Sequence, residues 1–297
     1  MKLRYCITAI LALLILTSCG NPTVRSSGDT PQRIVVTAPA TAEILVGLGI
    51  ADNLIASEIN SADIAGIDHS RTEFIDLADM GIERILELEP DLFIHSNTLF
   101  FDAPLSQTNP SSSLHELMLD LGINVIYIEE PVSISEIYEQ IELLGEITGR
   151  QREAANMINQ MKSTLSNIEN SLNSVAERRR VYFEVSPTQD IYTFGGNTFF
   201  NELLTLAGGE NIFEDERGWF SPSAEAVVLS DPDVIITNSI HYNSVIAIKA
   251  RPGWWSTTAV INEEVHLVSP NYTKRPSQNV VRAVEEIAAV LYPELFR

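Results

Sequence analysis

SISEIYEQIELLGEITGRQREAANMINQMKSTLSNIENSLNSVAER, residues 133 to 178, contains no proline and only two glycines, Gly145 and Gly149. Its apolar residues fall at Ile134, Ile137, Ile141, Leu144 and Ile147, then at Ala154, Met157, Ile158, Met161, Leu165, Ile168 and Leu172. That is the one-sided stripe of an amphipathic helix. Read as one helix of about 40 residues it would span roughly 60 Å, more than one small domain is wide. The alternative is two ordinary helices divided at Gly145–Gly149, since glycine costs ~1 kcal/mol inside a helix. The unbroken stripe predicts one long bridging helix over residues 132–179.

On both sides of this run, strands alternate with helices. Before it, Arg33–Thr37, Asp91–His95 and Asn124–Ile128 are β-branched runs, and Thr41–Gly49 and Ile82–Pro90 have helical spacing. After it come strands at Arg180–Val185, Asp233–Thr237 and Val265–Val268, with helices at Thr198–Gly209 and Ala224–Pro232. Such alternation predicts parallel βαβ units. The closest internal match is IERILELEPDLFI (82–94) against AEAVVLSDPDVII (224–236). Glu83 precedes Pro90 by the same seven positions as Glu225 precedes Pro232, and an aspartate follows each proline. A repeat at this distance implies two similar lobes. The chain is therefore expected to be α/β: two Rossmann-like lobes, 33–131 and 180–297, of parallel-rich sheet and helices.

The first 32 residues carry targeting information. Lys2 and Arg4 precede the apolar run Ile7–Leu16, which has the length of a signal-peptide core, and LTSCG (16–20) follows. Small residues before a cysteine resemble the bacterial lipobox, so residues 1–18 read as a removable signal peptide and Cys19 as the lipidated residue. Residues 19–32 are then a polar tether. With Cys6 removed and Cys19 acylated, neither of the two cysteines is left for a disulfide. The net charge of −21 leaves no basic patch for nucleic acid and would repel anionic headgroups. Membrane attachment must then come from the anchor.

The stretches VVTAPATAEILVGLGIADNLIA, GIERILELEPDLFI, LGEITGRQREAANMI, VYFEVSPTQDIYTFGGNTFFNELLTLAGGENIF, AEAVVLSDPDVIIT and KRPSQNVVRAVEEIAAVLYPELF resemble the substrate-binding lipoproteins of ABC importers for vitamin B12 and ferric siderophores. The resemblance implies the class III periplasmic-binding-protein architecture, with two lobes on one backbone helix and a ligand between them. It also implies that Glu83 and Glu225 dock with arginines of the transmembrane permease, which two separated carboxylates could meet bidentately. The protein would be extracytoplasmic and monomeric. It would have no cofactor of its own, cobalt or iron arriving with the ligand.

Ligand contacts are expected from loops beyond the strand ends. Asn97 and Phe100 are the candidates in the first lobe, and Tyr192, Trp219, Phe220, Tyr272 and Arg275 in the second. The resemblance places Tyr192 and Trp219 where B12 binders hold aromatic rings, and Arg275 near a cleft-facing arginine. Trp254 and Trp255 read as packing at a helix start or turn. Aromatic faces suit a corrin, and there is no crowd of basic residues for an anionic iron complex. Cobalamin is thus the expected ligand, with ferric siderophore and then haem as alternatives; a ligand-sensing receptor is the alternative outside transport. The five histidines are scattered without metal-site spacing, although His95 stands at a strand end. G-x-S-x-G, Walker A and G-x-G-x-x-G are all absent, so no enzyme is expected.

Overall fold

A computed structural model describes residues 30–76, 81–96, 118–185, 191–240 and 244–296. The first lobe contains β1 (Ile34–Val36), α1 (Pro39–Gly47), β2 (Leu54–Glu58), β3 (Glu73–Ile75), α2 (Ile82–Glu87), β4 (Leu92–Ser96) and β5 (Asn124–Ile128). Its strands are parallel in the order β3-β2-β1-β4-β5. Ile34, Val35 and Val36 are wholly buried, as expected of a parallel strand covered on both faces.

The helical run then divides into α3 (Ile134–Ile147) and α4 (Gln151–Leu172), which corrects the expectation of one bridging helix over 132–179. The physical reason is a Schellman end. Gly149 takes φ +69°, its N–H donates to Glu146 O (3.2 Å), and Arg150 N–H donates to Gly145 O (2.6 Å). The chain then reverses. A Cβ at Gly145 would lie 2.5 Å from that of Ala154, and Lys162 Nζ sits 5.0 Å from the Tyr138 ring centre. Pairing 145 with 154 and 138 with 162 makes α3 and α4 an antiparallel helical hairpin.

The second lobe follows with β6 (Arg179–Glu184), β7 (Thr193–Phe194), α5 (Phe199–Leu206), β8 (Gly209–Asn211), β9 (Trp219–Phe220), α6 (Ala224–Ser230), β10 (Val234–Thr237), α7 (Ser244–Lys249), α8 (Thr258–Ile261), β11 (Val265–Leu267), α9 (Pro270–Thr273) and α10 (Val280–Leu291). Its sheet is parallel in the order β11-β10-β6-β8, and β7 and β9 form a separate antiparallel ribbon.

Both hairpin helices cross between the lobes. At 22 residues, α4 is about 33 Å long. Met157, in its first half, touches Gly47 of the first lobe, and Leu172, at its end, touches Gly208 of the second. The other helix begins at the second lobe, where Ile134 N–H donates to the Glu202 carboxylate (2.8 Å), and ends beside Thr30 of the first. One apolar core therefore runs from Ile34 and Val36 through Ile141, Ile158 and Val284 to Val181 and Phe183.

The repeat seen in sequence recurs in the backbone conformation and hydrogen bonding of the two lobes. Glu89 (φ +46°) and Asp231 (φ +40°) are left-handed immediately before Pro90 and Pro232. The Asp91 carboxylate accepts from the backbone N–H groups of Gln32 and Arg33 (2.9 and 3.0 Å), and that of Asp233 from Arg180 N–H (2.9 Å). The Arg33 and Arg180 guanidinium groups donate to the carbonyls of Glu89 (2.9 Å) and Asp231 (3.2 Å). Each aspartate thus pins the start of its lobe's first strand, and each arginine satisfies the orphan carbonyl at the end of the preceding helix. The equivalences β1/β6, α2/α6 and β4/β10 follow. They place Glu83 and Glu225 in matching first turns, both exposed.

Candidate functional site

Each sheet has a point where its strand order reverses, between β1 and β4 in the first lobe and between β6 and β10 in the second. Crevices for ligands open outside the carboxyl ends of strands at such points. Here those ends carry Thr37 and His95 in one lobe and Glu184 and Asn238 in the other. The two ends meet through Arg275. Its guanidinium, beyond β11, donates to Asn60 O (2.8 Å) and pairs with the Asp63 carboxylate, both beyond β2. Nearby, Ser277 Oγ–H donates to the buried carboxylate of Glu43 on α1.

The second lobe's wall is aromatic. The ribbon of β7 and β9 sits just past the end of β6, held by Val185 N–H to Tyr192 O (3.1 Å) and Thr193 Oγ–H to Phe183 O (2.7 Å). It stacks Tyr192 on Trp219, with ring centres 6.0 Å apart and planes 6° from parallel. Phe194 and Phe200 meet Trp219 edge-on at 5.9 and 5.2 Å, so the indole has a fixed floor. Trp219 nevertheless stays 45% exposed and Tyr192 37%. Phe220, on the other side of the ribbon, packs on Phe213 (5.4 Å). Tyr272 of α9 accepts from Arg282 (3.4 Å) and leans on the core, so it is less available than the stacked pair.

On the first lobe's wall, half-buried His95 lies 3.1 Å from Thr37 Oγ through Nδ1. Phe93 stacks on its ring at 5.9 Å, and Tyr127 meets it edge-on at 6.0 Å. Burial holds the imidazole below its usual range, which favours the neutral form. Asn97, Phe100 and Cys19 lie outside the described residues.

Sequence reading missed a buried ion pair behind the wall. Glu184, at the end of β6, accepts from both terminal nitrogens of Arg251 (2.5 and 2.9 Å), and that guanidinium lies 4.6 Å from the Trp254 ring centre. Burial and then the Glu184 charge push the Tyr182 phenol far above its usual range. The available signal was an acid in an otherwise apolar strand, VYFEV, which needs a partner once buried. Trp254 is fully buried, as a packing residue should be, whereas Trp255 is 70% exposed. The Asn238 side chain donates to Thr273 Oγ (2.9 Å), while its buried Oδ1 has no partner among the described residues. Among those residues no group of three or more His, Cys, Asp or Glu could hold a bare metal ion, and no helix is long and apolar enough to cross a membrane.

The profile of the family described as "Periplasmic binding protein" matches residues 34–272. An ABC transporter substrate-binding lipoprotein of Bacillus subtilis, YvrC, itself uncharacterized, is 29% identical over 97% of this chain and 96% of its own length. A solved structure described as a possible iron-binding (periplasmic solute-binding) protein of Staphylococcus epidermidis superposes with a TM-score of 0.72 at 26% identity, covering 89% of this chain and all of that one. The periplasmic vitamin B12-binding protein BtuF of Vibrio cholerae gives 0.68 at 25% identity, covering 90% and 99%.

Proposed function

The chain belongs to the periplasmic binding protein family, and on that premise we propose that it captures a cobalamin or related corrinoid between its lobes and hands it to an ABC permease. Its relatives are extracytoplasmic substrate-binding proteins of ABC transporters rather than enzymes, and its architecture is theirs: two α/β lobes joined through helices, of class III. The observation that carries the ligand assignment is the Tyr192–Trp219 stack. It is a rigid, half-exposed aromatic face at the end of β6, suited to the edge or face of a large macrocycle. The Vibrio cholerae neighbour, which binds vitamin B12, supports the same choice.

Glu83 and Glu225 are the docking carboxylates in this reading. A helix between parallel strands starts at the sheet's carboxyl end, so both acids stand on the cleft side, each in the first turn of its helix. Identical registers before Pro90 and Pro232 give each lobe one such carboxylate at an equivalent place. Residues 1–18 would be removed, and a lipid on Cys19 would hold the protein at the outer face of the membrane through residues 19–32.

Titration of the mature protein with cyanocobalamin, ferrioxamine B and hemin, followed by calorimetry and absorbance, tests the assignment. Saturable one-to-one binding of cyanocobalamin is expected. Failure to bind it, with binding of the ferric hydroxamate, would move the ligand to the siderophore class that the iron-binding neighbour suggests.

A further inference from the structure

Arg275 was expected to meet the ligand, yet its side chain is only 12% exposed and is already committed to the opposite lobe. One terminal nitrogen donates to Asn60 O at 2.8 Å and also pairs with Asp63, whose own side chain is 51% exposed. Behind this pair stands Glu58, buried at the end of β2, its carboxylate accepting from Asn60 N–H and the Asn60 side chain (both 2.8 Å). Burial pushes the Glu58 carboxyl up, Asp76 adds to that rise, and Arg275 opposes it. The arginine therefore lies beside acids at the end of β2 and in the turn after it, Glu58 and Asp63. Lys274, the adjacent residue, is exposed to solvent. Across the site, Arg251 is likewise consumed by Glu184.

We infer that Asp63 is a specificity-determining residue. By holding Arg275 in a cross-lobe ion pair it cancels the positive charge that an anionic chelate would seek, so the cleft selects metal chelates of zero or positive net charge. The inference rests on the cleft being the ligand site. An anionic chelate would have to break the Arg275–Asp63 pair and then lie beside a released carboxylate. A neutral macrocycle can use the aromatic wall with the pair intact.

The test uses three probes on the mature protein: neutral cyanocobalamin, singly cationic ferrioxamine B and a triply anionic ferric tris-catecholate. Wild type should bind the anionic probe at least tenfold more weakly than the better of the other two. Asp63→Asn should raise the ratio of anionic to neutral affinity about tenfold by unmasking Arg275, and should make anionic binding fall with added salt. Asp63→Glu, which keeps the charge, should restore the wild-type ratio; a merely structural role for Asp63 would not track charge in this way. Preferred binding of the anionic probe by wild type, or a ratio unmoved by Asp63→Asn, would overturn the inference and leave the receptor reading intact. Binding of none of the three would overturn that reading and this inference with it.

Discussion

Replacing Gly145 by alanine should destabilise the protein, although the same change inside an ordinary helix stabilises it by ~1 kcal/mol. The reversal comes from the helical hairpin. The new methyl group would lie 2.5 Å from Ala154 Cβ and 3.2 Å from the Arg150 carbonyl oxygen, well inside ordinary van der Waals contact. Neither neighbour is the end of a flexible side chain, so the helices must part by about 1 Å; overpacking of this kind costs ~1–3 kcal/mol. Parting them also strains the Arg150 N–H to Gly145 O bond that closes α3. The net expectation is a loss of about 1–2 kcal/mol, read as a lower urea midpoint at unchanged slope. In an Ala154→Gly background the opposing methyl is gone, and the same Gly145→Ala change should become neutral or favourable, a coupling of about 1–3 kcal/mol. A raised midpoint in the wild-type background would refute the hairpin and restore a single rod through residues 132–179.

Three further outcomes follow from the site. Arg251→Ala leaves Glu184 buried without its bidentate partner and should lower stability by ~3–5 kcal/mol, with Glu184→Gln in the same chain recovering part of the loss in thermal melts. His95 should titrate below its usual pKa of 6.5 in an NMR pH series, because burial penalises its charged form. The unfolded chain then takes up the proton first, so this residue's contribution weakens stability as pH falls through about 6.5 and leaves it unaffected above; a His95 pKa above 6.5 would contradict the burial argument. Trp219→Ala removes the more exposed ring of the aromatic face and should weaken cyanocobalamin binding by ~2 kcal/mol, about 30-fold, in calorimetry, whereas an unchanged Kd would place the ligand elsewhere.

The long-range organisation was legible because it is written in repeats and periodicity. IERILELEPDLFI and AEAVVLSDPDVII mark equivalent lobes by their shared register, and each Asp after proline pins a first strand. The strands that escaped notice are short or mixed, such as Leu54–Glu58 and Gly209–Asn211; their pairing is set by neighbours, and local propensity says little about it. The break after Gly145 was visible as glycine spacing. Its consequence, a reversal and not a kink, depended on Gly149 taking a left-handed conformation and on Ala154 fitting against Gly145. Arg275 could be found as a residue near the cleft, but nothing local shows that Asp63, 212 positions away, holds it. Charge at a site is a property of pairs, and pairs across lobes are made by the fold.

The equivalence of the lobes puts Glu83 and Glu225 in matching first turns, and the proposed docking role requires both carboxylates to meet a single partner. The most direct test is uptake of the chelate identified by titration, in cells carrying the importer, by wild type and by the Glu83→Ala/Glu225→Ala double variant. Uptake by the double variant should be abolished while the Kd for the chelate stays at the wild-type value. Uptake at the wild-type rate by the double variant would contradict the docking role.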